Sequence, residues 1–212
     1  MAETRYTDDQ MTAGRRLFSA PASFRLGVAK LEQLPPLAGT EIAFAGRSNV
    51  GKSSLINALT GVRGLARASN TPGRTRELNF FDIDGRITLV DMPGYGYAKA
   101  PKAEVKQWQD VLKGYLRGRV GLTRVFVLID ARHGVKAEDR EMFDMLDETA
   151  VAYQLVLTKT DKIKASELAA VTAETLAIVK KRAAALPVLF VTSSDKGTGF
   201  EELRAEIAGL IR

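Results

Sequence analysis

"GRSNVGKSS", residues 46–54, is the stretch that decides the fold. It satisfies GxxxxGK[ST] and lies between an apolar run, Glu41–Ala45, and a short helical pattern, Ser53–Leu59, stopped by Gly61. That context is what the chemistry needs. Glycines let a backbone wrap a phosphate, and successive N–H groups at a helix N-terminus point into the turn. The candidate cradle is Gly46, Arg47, Ser48, Asn49, Val50, Gly51, Lys52, Ser53 and Ser54. Lys52 would set a point charge on the β- and γ-phosphates, and Ser53 would offer its hydroxyl to magnesium.

Outward from this loop, apolar runs alternate with helical patterns. Runs that suit buried strands are Glu41–Ala45, Leu78–Ile83, Arg86–Val90, Arg124–Ile129, Tyr153–Leu157 and Pro187–Val191. Several are nearly continuous, as in parallel strands covered on both faces. Asp84-Gly85 joins the second and third as a hairpin turn, so one strand is expected to be antiparallel at an edge. Helical spacing runs over Lys102–Arg117, Ala137–Glu148, Ser166–Ala184 and Phe200–Arg212. The expected fold is α/β: a three-layer P-loop NTPase with a mostly parallel six-stranded sheet and one antiparallel edge strand. Ligands then bind beyond the carboxyl ends of the strands. Residues 1–37 look irregular, punctuated by Pro21 and Pro35-Pro36, and are expected to form a partly flexible arm ahead of a 38–212 nucleotide-binding domain.

Composition narrows the chemistry. The chain has 212 residues and no cysteine, which excludes disulfides and thiolate metal sites; its one histidine, His133, leaves little room for His-based metal or triad chemistry. No run approaches the roughly 18 apolar residues of a membrane helix, and the first residues lack the apolar region of a signal peptide. A cytoplasmic, monomeric protein without membrane insertion is expected. The net charge of +6 is uneven: +1 over residues 1–40, +7 over 41–125 and −2 over 126–212. An excess on one segment suits a polyanion-facing surface, with nucleic acid the leading candidate.

Three further motifs carry chemistry. "DMPGYGYA", residues 91–98, follows an apolar run. Asp91 there would hold magnesium through water, and Gly94 would aim a backbone N–H at the γ-phosphate. Many nucleotide switches place a water-orienting glutamine after that glycine; here the position is Tyr95, with no amide to offer. "TKTD", Thr158-Lys159-Thr160-Asp161, closes a strand about 110 residues after the P-loop. A carboxylate at Asp161 can accept both N1–H and N2–H₂ of guanine and rejects adenine, which leaves it unpaired. The aliphatic stem of Lys159 would cover the base. The familiar box begins with Asn, so Thr158 is a departure that puts one structural hydrogen bond in doubt. "TSS", Thr192–Ser194, follows the next strand, and backbone N–H groups there, with Val191, Thr192 and Ser193 as candidates, could meet guanine O6. Between Gly61 and Arg76 lies a long aperiodic loop containing "TPGRT", in which Thr71 and Thr75 both have the chemistry of a switching magnesium ligand.

Together these boxes resemble the EngB (YihA/YsxC) GTPases of the TrmE–Era–EngA–YihA–septin group. "GRSNVGKSSLINAL", "TPGRT", "NFF", "DMPGYGYA", "TKTDK" and "TSS" stand in that family's order, and the likeness spans about residues 38–212. It implies a cytoplasmic GTPase that assists assembly of the large ribosomal subunit and is linked to septation. It implies Mg²⁺ as cofactor and Thr75 as its ligand in the mobile loop. Candidate nucleotide contacts also include Gly73, Arg74, Arg76, Glu77, Met92 and Pro93. Some relatives use a potassium ion held partly by a P-loop asparagine, and Asn49 stands at the matching position. Candidate catalytic groups are therefore Lys52, Gly94 and Asn49, the last as a K⁺ ligand. Lys102, Lys106, Lys113 and Arg117, at helical spacing, and Arg63, Arg67, Arg74, Arg76 and Lys99, near the two switch loops, are candidate contacts to ribosomal RNA. Two other readings compete: a nucleotide-gated binding protein at the septum with incidental hydrolysis, and a small-molecule kinase on the same P-loop.

Overall fold

The computed structural model describes residues 5–67, 77–96 and 102–211, with backbone only for 102–107. A seven-stranded sheet runs in the order β1-β3-β4-β2-β5-β6-β7. Its strands are β1 (Ala22–Val28), β2 (Thr40–Gly46), β3 (Leu78–Ile83), β4 (Ile87–Asp91), β5 (Leu122–Asp130), β6 (Tyr153–Thr158) and β7 (Ala185–Val191). The helices are α1 (Asp8–Phe18), α2 (Lys52–Thr60), α3 (Lys102–Gly118), α4 (Ala137–Glu148), α5 (Ala165–Val179) and α6 (Phe200–Ala208).

Side-chain alternation in the central strands divides the core into two layers. Ala43, Ala45, Val125, Val127, Leu155 and Leu157 face one side, where Leu112 and Tyr115 of α3, Phe143 and Leu146 of α4, and Val179 of α5 cover them. Ile42, Phe44, Phe126, Leu128 and Val156 face the other, under Leu17 of α1, Leu55 and Leu59 of α2, and Leu203 and Ile207 of α6. Burial on both faces is why these strands read as apolar runs.

The α/β three-layer class stands as expected, with two corrections to the sheet. Among the described residues the sheet has seven strands, not six, because part of the 1–37 segment supplies β1. β1 pairs with β3, and β3 with β4, both antiparallel; the antiparallel strand is therefore β3, one place in from the edge. Asp84 and Gly85 both take positive φ, 52° and 66°, in the three-residue turn 84–86, where the Arg86 N–H donates to the Ile83 carbonyl at 2.9 Å.

The segment before β2 is also more regular than its composition suggests. Thr7 caps α1: its hydroxyl accepts from the Gln10 N–H, and Gln10 returns the bond to the Thr7 N–H at 2.8 Å. Gly14 of α1 lets α6 approach closely, since a Cβ there would lie 2.6 Å from the Ala205 backbone nitrogen. Tyr6 donates to Glu206 at 2.8 Å, and Arg15 pairs with Glu201 at 2.9 Å. At the far end of the sheet, Glu41, buried, accepts from Arg119, whose Nη1 also donates to the Pro35 carbonyl at 2.7 Å. α5 ends at Val179 rather than Ala184: Arg182 is drawn out to Asp144 and Asp147, and the Ala184 N–H donates to Asp147 at 3.0 Å.

Candidate functional site

Sheet register gathers the motifs. Phe44 is opposite Asp91, Gly46 opposite Leu128, Asp130 opposite Thr158 and Leu157 opposite Val191. The carboxyl ends of β2, β4, β5, β6 and β7 thus form one rim, where an open α/β sheet presents its ligand crevice. A cavity of about 280 Å³ opens there, lined by the P-loop, Arg67, Glu77, Asn79, Asp91 to Gly94, and Lys159.

The P-loop turn depends on its backbone. Asn49 and Gly51 take φ of 61° and 104°, and Gly51 leads directly into α2. Gly46 has no room for a side chain, as a Cβ would come within 2.8 Å of Val50. The amides at the head of α2 therefore face the cavity beside Lys52.

Lys52 Nζ donates to Asp91 Oδ1, and Ser53 Oγ donates to the Arg67 carbonyl at 3.4 Å. A hydroxyl, a carboxylate and an ammonium so converge at one helix N-terminus. Both oxygen groups are hard donors. Among the described residues no group of three or more His, Asp or Glu gathers as a protein cage. A divalent ion here would take its remaining ligands from phosphate oxygens and water, the mode that suits magnesium. Ser53 and Asp91 fit that ion. Thr71, Gly73, Arg74, Thr75, Arg76 and Lys99 lie outside the described residues, as do the side chains of Lys102 and Lys106. Glu77 lines the cavity.

After Asp91 the chain folds onto the P-loop. The Met92 N–H donates to the Phe44 carbonyl at 3.0 Å, and the Ser48 N–H donates to the Tyr95 carbonyl at 2.9 Å. A Cβ on Gly94 would press on the Ser48 backbone at 3.2 Å. The Tyr95 ring turns into the core, and its hydroxyl donates to Asp139 Oδ1 of α4 at 2.9 Å. Burial, reinforced by the Asp139 charge, pushes that phenol well above its ordinary pKa. Tyr95 is thus tied away from the cavity that Gly94 lines.

The other two boxes meet beside it. Thr158, buried, donates its hydroxyl to the Val50 carbonyl at 2.7 Å, so the residue that departs from Asn still ties its strand to the P-loop. Lys159 adopts φ of 57°, and its ammonium donates to the Asn49 carbonyl at 2.5 Å. Asp161 accepts from Ser193 Oγ at 2.5 Å, and Lys162 lies 2.9 Å away; these hydrogen bonds hold its carboxyl below the usual range. Thr160 donates to the Thr192 carbonyl, and the Thr192 N–H to that of Leu157, which fastens the "TSS" turn to "TKTD". Lys159 lines the cavity, whereas Asp161 and Ser193 do not; they are tied to it through the Thr158–Asp161 turn. Two acids that motif reading missed hold this ensemble: Asp130 at the end of β5, and Asp139 in the first turn of α4.

Fold and site together define a P-loop GTP-binding protein of the three-layer α/β class. The profile of a family described as 50S ribosome-binding GTPase matches residues 41–159. A probable GTP-binding protein EngB of Gluconobacter oxydans is 55% identical over 95% of this chain and 89% of its own length. Its counterpart in Sinorhizobium fredii is 56% identical over 98% and 97%. A crystal structure of a probable GTP-binding protein engB superposes with a TM-score of 0.63 at 28% identity, covering 82% of this chain and 99% of that one. Era, bound to MgGDPNP and a segment of 16S ribosomal RNA, shares the fold with a TM-score of 0.63 at 23% identity. The chain belongs to the EngB family of GTP-binding proteins.

Proposed function

We propose that this protein hydrolyses GTP slowly, with Mg²⁺, and serves as a nucleotide-controlled switch in assembly of the large ribosomal subunit. The observation that carries the chemistry is the convergence of Lys52, Ser53, Asp91 and Lys159 on one cavity at the sheet's carboxyl rim. The ribosomal partner is supported by the family described as 50S ribosome-binding GTPase and by the basic excess over residues 41–125.

Backbone amides of residues 49–53 cup the β-phosphate and Lys52 leaves Asp91 for the phosphate oxygens. Ser53, Thr75 and, through water, Asp91 would hold magnesium, which would supply positive charge to offset that of the β- and γ-phosphates. The Gly94 N–H meets the γ-phosphate and so senses its presence. Asp161 reads guanine while the Lys159 stem covers the base. Slow turnover follows from Tyr95, which has no amide and whose ring is directed to Asp139. Asn49, exposed at the cavity with its carbonyl held by Lys159, is the candidate ligand for a K⁺ ion that would offset transition-state charge. Equal turnover in KCl and NaCl, with and without ribosomes, removes that part.

On the partner side, basic residues on the switch loops and on α3 grip ribosomal RNA through phosphate and shape contacts in one nucleotide state. Arg117 is exposed, while Lys113 lies 3.7 Å from Glu148. The protein is expected to act as a cytoplasmic monomer, with a link to septation secondary to the ribosomal role. Among the described residues no helix is long and apolar enough to cross a membrane.

One experiment tests both levels. Calorimetry should show GDP and GTP binding and no ADP binding, and Asp161→Asn should transfer preference to xanthosine diphosphate, whose 2-carbonyl accepts from the new amide. Co-sedimentation with ribosomal subunits should then depend on which guanine nucleotide is bound. Equal affinity for GDP and ADP refutes the guanine reading. Nucleotide-independent co-sedimentation refutes the switch; absence of co-sedimentation refutes the ribosomal partner and leaves the septal reading standing.

A further inference from the structure

The stretch "IDARHG", Ile129–Gly134, contains none of the motifs yet touches the site. Asp130 ends β5 and is held rigidly. Its carbonyl accepts from the N–H groups of His133 and Gly134, both at 3.0 Å, and the Ala131 N–H carries the ladder on to the Thr158 carbonyl. Its buried carboxylate is saturated with donors. Oδ1 accepts from the Arg132 N–H at 3.1 Å and from Arg132 Nε at 2.9 Å; Oδ2 accepts from Arg132 Nη2 at 2.7 Å and from Lys159 Nζ at 2.8 Å. Burial alone would raise this carboxyl, but the hydrogen bonds from Arg132 and Lys159 prevail and leave it well below the usual carboxylate range.

From Lys159 the geometry is equally constrained. A non-glycine residue at positive φ is costly and persists only where its surroundings fix it. That backbone sends the side chain back across the P-loop, where a Cβ on Gly51 would lie 3.6 Å from Lys159 Cε. The ammonium ends between two acceptors on opposite sides, the Asn49 carbonyl and Asp130 Oδ2. A flexible lysine stem loses rotamer entropy on ordering. Pinned at its tip, the stem has lost that freedom before any base arrives.

We propose that Asp130, clamped by Arg132, is a positioning residue for guanine-nucleotide affinity: it fixes the Lys159 ammonium so that the lysine's methylene stem forms a preset wall against the base. This rests on the guanine reading above. The Asp130 carboxylate bonds Arg132 and Lys159, whereas Lys52 and Asp91 bond each other. Its removal should therefore weaken GDP and GTP by the same factor and leave their ratio unchanged.

The test is a double-mutant cycle read by GDP and GTP affinity on the full chain. Asp130→Ala should weaken both nucleotides about tenfold, on the scale of a lost charge-assisted hydrogen bond. Lys159→Ala should weaken them at least as much, and the double variant should be no weaker than Lys159→Ala alone. Asp130→Asn keeps an acceptor for the ammonium and should recover part of the loss, which a merely structural aspartate would not produce through Lys159. Arg132→Gln loosens the clamp from its exposed side and should cost two- to fivefold; it stands in if Asp130→Ala does not fold. Additive losses in the double variant, or unchanged GDP affinity in Asp130→Ala and in Arg132→Gln, overturn the proposal. Absence of GDP binding by the unsubstituted protein refutes the guanine reading instead.

Discussion

Replacing Tyr95 by phenylalanine isolates one contact. The ring stays in the core, and only the hydroxyl that donates to Asp139 Oδ1 at 2.9 Å is lost. Asp139, buried in the first turn of α4, keeps one donor, the Lys136 N–H on Oδ2 at 2.9 Å. A hydrogen bond to a charged acceptor contributes about 1.5–3 kcal/mol, and a buried carboxylate oxygen left unpaired does not regain water. The expected loss is therefore about 2 kcal/mol at neutral pH, or roughly 4–8 °C in Tm for a chain of this length. The loss has a pH signature. Burial raises the Asp139 carboxyl, and the Lys136 and Tyr95 hydrogen bonds pull it down. Removing the hydroxyl raises it further, so the variant's deficit is full above that raised pKa and shrinks as pH falls through it. Urea titrations at several pH values would show an unchanged slope and a lower midpoint. A midpoint equal to wild type at pH 7, or a deficit that grows toward acid, refutes the buried contact.

Thr158→Val should cost about 1–3 kcal/mol because it strips the Val50 carbonyl of its partner; it should also weaken GDP, and calorimetry showing wild-type affinity with lowered stability would separate the two. Gly14→Ala drives a methyl into the Ala205 backbone and should cost at least about 1–3 kcal/mol, with earlier proteolysis ahead of β2 as the readout. Asp139→Asn removes a buried charge whose folded pKa is raised, so it should gain on wild type at pH 7 and lose that gain near pH 4. Asp130→Asn should do the opposite: the folded pKa is lowered, so wild type holds the advantage above about pH 4 and forfeits it as pH falls toward the folded value. Thermal melts across pH 3–7 check both.

Most of the strand ends were legible to within a residue or two because a strand buried on both faces is written as an apolar run. β1 was not. As the edge strand it has one neighbour, Phe24 and Arg25 stay exposed, and a register shift between Phe24 and Leu26 breaks the alternation. Its companion α1 did carry a signal, the Thr7–Gln10 capping box, in a segment whose prolines drew the eye. The end of α5 was misplaced because Lys180–Ala184 has good helical propensity, overridden by the pull of Asp144 and Asp147 on Arg182. At the site, the P-loop, Asp91, Thr158–Asp161 and Thr192–Ser193 were legible because phosphate and base recognition need fixed residues at short spacing. Asp130 and Asp139 were not, since the site residues they hold, Lys159 and Tyr95, lie 29 and 44 positions away.

Those distant bonds converge on three successive P-loop residues. The Ser48 N–H is held by the Tyr95 carbonyl, the Asn49 carbonyl by Lys159 Nζ, and the Val50 carbonyl by Thr158 Oγ1. The first tie leads through Tyr95 to Asp139 of α4; the second leads through Lys159 to Asp130 of β5; the third leads into β6. A glycine-rich turn has much backbone freedom to lose on wrapping a phosphate. Three external hydrogen bonds remove that freedom beforehand and aim the remaining amides at one point. They also make the loop responsive. In the proposed reading the Lys159 and Thr158 ties lie toward the base, whereas the Tyr95 tie sits one residue after Gly94, where a γ-phosphate would act. In the proposed switch, a shift of Gly94 would press directly on the Ser48 backbone and, through the next residue Tyr95, on Asp139 of α4. In the proposed switch the Tyr95–Asp139 contact would link the phosphate end to α4, while the Asp130–Lys159 and Thr158–Val50 bonds would brace the base end.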